Sequence, residues 1–197
     1  MQAKTDCTIA ILAGGKSSRM YADKAELLWE GASFLKRTVQ IAAQISSYVV
    51  VVGRDRPQGW DGPNCDFIVD REPGSGPLGG LIAALQHSEG RCVLLLAVDM
   101  PLLTEAALRW LYDRVKEIGT DDDGIAVSNA GQLEPLFSVF AASSLSLAEA
   151  SVESGRRSLK SVIEQGNFFP LELPEVYQSA IYNVNTAEEL ERIRKHI

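Results

Sequence analysis

Short, continuously apolar runs alternate along this chain with longer stretches whose apolar positions recur at helical spacing. "TIAILA" (8–13), "YVVVVG" (48–53), "FIVD" (67–70) and "VLLLAVD" (93–99) lack the in–out alternation of a half-exposed strand. Runs of this kind are strands covered on both faces, the usual condition of a parallel sheet. Between them, "SFLKRTVQIAAQI" (33–45) sets Leu35, Val39 and Ala42 on one helical face. "PLGGLIAALQHS" (77–88) does the same with Leu78, Leu81, Ile82 and Leu85. "TEAALRWLYDRVKEIG" (104–119) carries a stripe of Leu108, Leu111, Val115 and Ile118, with Thr104 as the expected N-cap and Gly119 as the expected C-cap.

Strand–helix repetition predicts right-handed crossovers and a three-layer α/β/α, Rossmann-like arrangement around a mostly parallel sheet. Beyond Asp121 the pattern loosens. Strands are expected in "GIAVSN" (124–129) and "EPLFSVF" (134–140), then helices near 142–154 and 158–165. A strand near 181–184 and a closing helix at 186–196 complete the prediction, and "DDD" (121–123) reads as a solvated loop. No linker, repeat or low-complexity stretch divides residues 1–197, so one domain is expected.

Composition narrows the partners. Nineteen Lys and Arg against 26 Asp and Glu give a formal net charge of −7, which would repel nucleic acid and anionic membranes. A small anionic substrate stays open if cations gather at one place. Cys7, Cys65 and Cys92 are scattered and unpaired in spacing, which disfavours a disulfide framework or a zinc cluster. No apolar run approaches about 18 residues, and "MQAKTD" lacks a signal peptide's apolar core, so a cytoplasmic location is expected.

Cations do gather in "LAGGKSSRMYADK" (12–24), directly after the first strand. Gly14 and Gly15 let backbone N–H groups approach an anion without a Cβ in the way. Lys16, Arg19 and Lys24 would then neutralise a triphosphate. The competing reading is a tight strand-to-helix turn with three solvated cations. The spacing is neither G-x-G-x-x-G nor G-x-x-x-x-G-K-[ST], which disfavours a dinucleotide fold or a P-loop. Asp99 ends the most apolar strand, where it either helps start the next helix or holds Mg²⁺ through one carboxylate. Asp70, beside Arg71, poses the same choice. "GSGPLGG" (74–80) is either a helix start, with Pro77 in the first turn, or a glycine surface against which a flat ring can lie. His87 and His196 fall on helices without spacing for metal or triad chemistry.

Together the segments "LAGGKSSRM", "DKAELLWEG", "GPLGGL", "VDMPLL", "EPLF", "SGRRSL" and "YNVNTAEEL" resemble the molybdenum cofactor guanylyltransferases, the MobA-like nucleotidyltransferases. They occur in order from Ile11 to Leu190. The resemblance implies a nucleotidyltransferase fold with a nucleotide-binding part at about 8–120 and a pterin-side part at about 121–197. It implies transfer of GMP from GTP to molybdenum-bound molybdopterin, with Mg²⁺ as cofactor and transient contacts with molybdoenzymes or cofactor-delivery proteins. Residue by residue, it implies that Leu12, Ala13, Gly14, Gly15, Lys24, Asp70 and Asp99 bind GTP. Arg19, Lys24 and Asp99 would be catalytic, with Asp99 on the metal. Gly76, Gly79, Arg156 (or Arg157), Asn183 and Asn185 would lie toward the pterin.

Two positions depart from the family pattern. Tyr21-Ala22 stands where relatives have glycine after "RM", and Val52-Gly53 stands where some have asparagine. Alternatives are a relative that transfers CMP or acts on a sugar phosphate, and a nucleotide-binding regulator without catalysis. The cytidylyl relatives typically show "LAAG", and sugar nucleotidyltransferases G-x-G-T-R-L.

Overall fold

A computed structural model describes residues 6–14, 23–69 and 76–195 of the chain. The predicted Gly15, Arg19 and Asp70, together with Lys16, Tyr21, Arg71 and His196, lie outside these residues.

Among the described residues the core of the fold is one eight-stranded sheet. Its first strands are β1 (Cys7–Leu12), β4 (Val49–Val52), β5 (Asp66–Ile68) and β6 (Cys92–Ala97), with β2 (Leu28–Trp29) and β3 (Ala32–Ser33) forming a small separate hairpin. The sheet is completed by β7 (Gly124–Asn129), β8 (Gln132–Leu133), β9 (Phe137–Phe140) and β10 (Phe168–Glu172). The strand order is β10-β7-β9-β6-β1-β4-β5, with β8 attached to β7. β1 pairs in parallel with β4 and β6, β4 with β5, and β7 with β10, whereas β9 runs antiparallel to both β6 and β7. A mostly parallel sheet was expected, and this one has a single antiparallel intruder in its main path.

Helices cover both faces. The helices are α1 (Phe34–Ala43), α2 (Gly76–His87), α3 (Glu105–Tyr112), α4 (Ser144–Glu153), α5 (Leu159–Gln165) and α6 (Ala187–Arg194). Alternation along the central strands divides the core. Ile9, Ile11, Val49, Val51, Leu94 and Leu96 pack with α1 and α3. Ala10, Val50, Val52, Val93 and Leu95 pack with α2, α4 and α5. Both faces of the central strands are therefore dry, which is why their sequences read as unbroken apolar runs.

Caps set several helix starts, that of Thr104 as the sequence predicts. The Thr104 hydroxyl accepts from the Ala107 N–H at 3.2 Å, and Ser33 and Ser158 cap α1 and α5 in the same way. Four expectations fail. The helix over 104–119 stops at Tyr112, and a 3₁₀ turn at Val115–Glu117 follows. Gly119 is no C-cap of that helix; its N–H donates to the Asp122 carboxylate at 2.8 Å, which closes a turn instead. The "DDD" loop is a bonded hub rather than a merely solvated one. Asp123 accepts from the Asn167 N–H and the Ser143 hydroxyl, and the Asn167 side chain donates to the Asp121 carbonyl and to Asp122. No strand forms at 181–184; a 3₁₀ stretch, Glu175–Ile181, leads into extended chain there. The actual tenth strand, "FFPLE", escapes prediction because of Pro170, which a strand tolerates at a sheet edge, and β10 is an edge.

The chain leaves β1 toward β4 and β5, then returns to β6 on the other side of β1. Strand order thus reverses between β1 and β6, and ligands of doubly wound sheets sit outside the carboxyl ends at such a point. Here the backbones come very close. The Ala13 N–H donates to Val52 O at 2.9 Å and the Val98 N–H to Leu12 O at 3.1 Å. Gly14 lies against Gly53, which has φ +93°, and a Cβ built on Gly53 would stand 2.6 Å from Gly14 Cα. Gly53→Ala therefore combines left-handed strain with a backbone collision. It should cost about 2 kcal/mol or more, a loss of roughly 4–8 °C in Tm by thermal melt. An unchanged melt would mean that the two turns can separate freely.

Candidate active site

Lys24 is the centre of the carboxyl-edge cluster. It begins a 3₁₀ turn, Lys24–Glu26, whose N-cap is Asp23; one Asp23 oxygen accepts from the Ala25 N–H at 3.0 Å. The turn directs the ammonium inward. Lys24 Nζ donates to Asp99 Oδ2 at 2.6 Å and to Asn185 Oδ1 at 2.9 Å. The two side chains of the ion pair are only 20% and 16% exposed, so solvent screens the contact less than it would a surface pair.

Asp99 does not start the next helix, because α3 begins several residues later under its own cap, Thr104. It sits at the end of β6, where its backbone carbonyl accepts from the Val184 N–H at 2.9 Å. That bond draws the 183–185 segment across the edge of the sheet. Asn185 is then fixed by the start of α6: its N–H donates to Glu189 Oε2 at 2.6 Å, and Thr186 and Glu189 form a reciprocal capping box. The Asn183 side-chain oxygen is buried and has no hydrogen-bond partner among the described residues. An acceptor left so would cost about 1–3 kcal/mol, so this oxygen is open to a water, an ion or a ligand group.

The other predicted residues fall along the same edge. Leu12, Ala13 and Gly14 close β1 beside the Gly53 turn. Gly76, exposed with φ +62°, and Gly79, buried, belong to the first turns of α2. The neighbouring Gly80, the last glycine of "GSGPLGG", is the one that admits β1: a Cβ there would stand 2.7 Å from Leu12 Cδ2. Because β9 runs backward, α4 returns toward the carboxyl edge, and the exposed Arg156 and Arg157 sit at its turn into α5. His87 pairs with Asp66 at 3.0 Å at the opposite edge, where β5 begins and α2 ends.

Arg54 was missed by sequence reasoning altogether. It follows Gly53 and is 16% exposed, with Nη1 3.1 Å from Asp23 and Nη2 3.5 Å from Glu26. Its only sequence signal was a cation one residue past a strand-ending glycine.

Among the described residues no three His, Cys, Asp or Glu side chains converge on one point. A dedicated protein cage for a metal is therefore not built from them. A single carboxylate at a strand end suits Mg²⁺, which keeps waters and takes phosphate oxygens for most of its shell. Lys24 occupies one Asp99 oxygen, and Asp99 fits that role through its carboxylate chemistry. No helix among the described residues is long and apolar enough to cross a membrane.

Residues 9–169 match the family model described as the MobA-like NTP transferase domain. The chain is 32% identical to the probable molybdenum cofactor guanylyltransferase of Opitutus terrae, over 94% of each chain. It is 30% identical to the protein of the same name from Chloroflexus aggregans, over 95% of this chain and 93% of that one. Among solved structures, molybdopterin-guanine dinucleotide biosynthesis protein A from Archaeoglobus fulgidus superposes with a TM-score of 0.79 at 24% identity, covering 96% of this chain and all of that one.

Glu134 opens "EPLF" at this edge, its C=O accepting from the Phe137 N–H and the Ser138 hydroxyl. Burial pushes its carboxyl above the ordinary value. A raised folded pKa means that the native state holds the proton longer than the unfolded chain does. The charged group thus costs stability as pH rises from the unfolded value of about 4.3 through the folded one. Glu134→Gln should melt close to wild type at pH 4 and gain on it at pH 7. A difference in Tm that stays constant with pH would contradict this.

Proposed function

The chain belongs to the MobA-like NTP transferase family, and from that premise we propose that it transfers GMP from GTP to the phosphate of molybdenum-bound molybdopterin, making the guanine dinucleotide form of the cofactor. In this reaction a phosphate oxygen of the pterin forms a bond to the α-phosphorus of GTP. The bond from that phosphorus to the bridging oxygen breaks, and pyrophosphate leaves with its electron pair. The likeness to two relatives named as guanylyltransferases, over nearly the full length of each, supports the choice of GTP and the pterin as substrates.

The single observation that carries the reading is the Lys24 ammonium held between Asp99 and Asn185 at the carboxyl edge. A phosphate monoester has its second pKa near 6, so the nucleophile is largely ionised at neutral pH without help from a base. What remains to be supplied is alignment of two anions and stabilisation of charge on the departing pyrophosphate. The Gly14 turn admits phosphates close to backbone N–H groups, and Lys24 sets a positive charge beside them. Arg19, Gly15 and Asp70, outside the described residues, would join this nucleotide set. Mg²⁺ on Asp99 would add Lewis-acid stabilisation of phosphate charge. Toward the pterin, Gly76, Gly79, Arg156, Asn183 and Asn185 would form the receiving set that the family resemblance implies.

Two measurements test this. Incubation with Mg²⁺, molybdenum-loaded molybdopterin and each of GTP, ATP, CTP and UTP should give pyrophosphate with GTP. Release with CTP instead would point to a cytidylyl relative, and release with none to a regulator. Asp99→Ala should lower kcat by about 10²-fold or more, the scale of losing one main electrostatic stabiliser. A near wild-type rate would remove Asp99 from the chemistry.

A further inference from the structure

We infer that Arg54 is a positioning residue, which acts on the reaction through Lys24 rather than by touching substrate; this rests on the reading of Lys24 given above. The two Asp23 oxygens divide their work. One accepts from the Ala25 N–H at 3.0 Å and so caps the Lys24–Glu26 turn. The other lies 3.1 Å from Arg54 Nη1, while Arg54 Nη2 lies 3.5 Å from Glu26 at the far end of the same turn. The planar guanidinium thus straddles the turn that presents Lys24.

The strap is anchored on the sheet. Arg54 leaves β4 immediately after Gly53, and the φ of +93° there swings the chain away from the strand while its backbone rests on Gly14. Arg54 Nε and Nη1 are buried and lack a hydrogen-bond partner among the described residues; the Nη1–Asp23 approach is an ion pair without hydrogen-bond geometry. Two carboxylates already balance the guanidinium charge. Its two ion-pair partners both belong to the turn, so it is well suited to fix that turn. The effect passes along one chain of contacts: Arg54 holds Asp23, Asp23 caps the turn, and the turn fixes Lys24 between Asp99 and Asn185.

Crystal structures of the wild-type protein and of Arg54→Ala test the geometry without reference to any substrate. In wild type Lys24 Nζ should reach Asp99; in the variant the sheet should superpose and Lys24 should leave that carboxylate. An unmoved Lys24 overturns the proposal, whichever nucleotide the enzyme uses. Kinetics supply the second arm, with the nucleotide that wild type turns over. Arg54→Ala should lose about tenfold in kcat with the KM for the nucleotide changed less than about threefold, and Arg54→Lys should recover most of the loss. Introduced into Lys24→Ala, the same change should cost less than about twofold, because residues acting in series are non-additive. Equal losses on both backgrounds, or a kcat loss that tracks a fall in Tm, would assign Arg54 a direct or merely structural role. A wild-type protein inactive with GTP would count against the substrate assignment and leave the crystallographic result to decide this one.

Discussion

One ammonium group holds the working edge of this molecule together. Lys24 reaches Asp99, 75 residues along the chain, and Asn185, 161 residues along. Three segments far apart in the chain thereby meet at one atom. The Asp99 contact is partly sheltered, so removal of that acceptor leaves the cation less compensated where water is scarce. A charge held so has a fixed address, and electrostatic stabilisation of a reaction depends on charges that need not reorganise when it proceeds.

The sheet makes that address possible. The reversal of strand order between β1 and β6 opens the edge at the point where Leu12 and Ala97, two residues before Asp99, end side by side. Three glycines let the surrounding pieces close up. Gly14 and Gly53 allow two strand-end turns to touch backbone to backbone, and Gly80 lets α2 settle against Leu12. Side chains at these positions would push apart the elements that frame the site.

Much of this was legible in the sequence, for a physical reason. Parallel strands buried on both faces write themselves as "VVVV" and "CVLLLA", and the cap residue Thr104 marks where α3 begins. Lys24, Asp99 and Asn185 were recognisable from motif resemblance, but that one cation would bridge the other two is a long-range fact no local pattern records. Arg54 was invisible for the same cause, since its carboxylate partners precede it by about 30 residues and belong to a different element. β10 was lost because Pro170 argues against a strand unless one knows that it lies at an edge. The hub at Asp121–Asp123 read as plain loop because its partner, Asn167, comes from the far side of two helices.

The dependence of Lys24 on Asn185 also bears on the order in which the molecule is completed during translation. The segment carrying Asn185 follows every strand of the sheet in chain order. A nascent polypeptide could assemble the entire β framework, with Lys24 and Asp99 already facing each other, and still lack the amide that holds the lysine from its other side. The amide that completes this edge is therefore the last of its three parts to be synthesised.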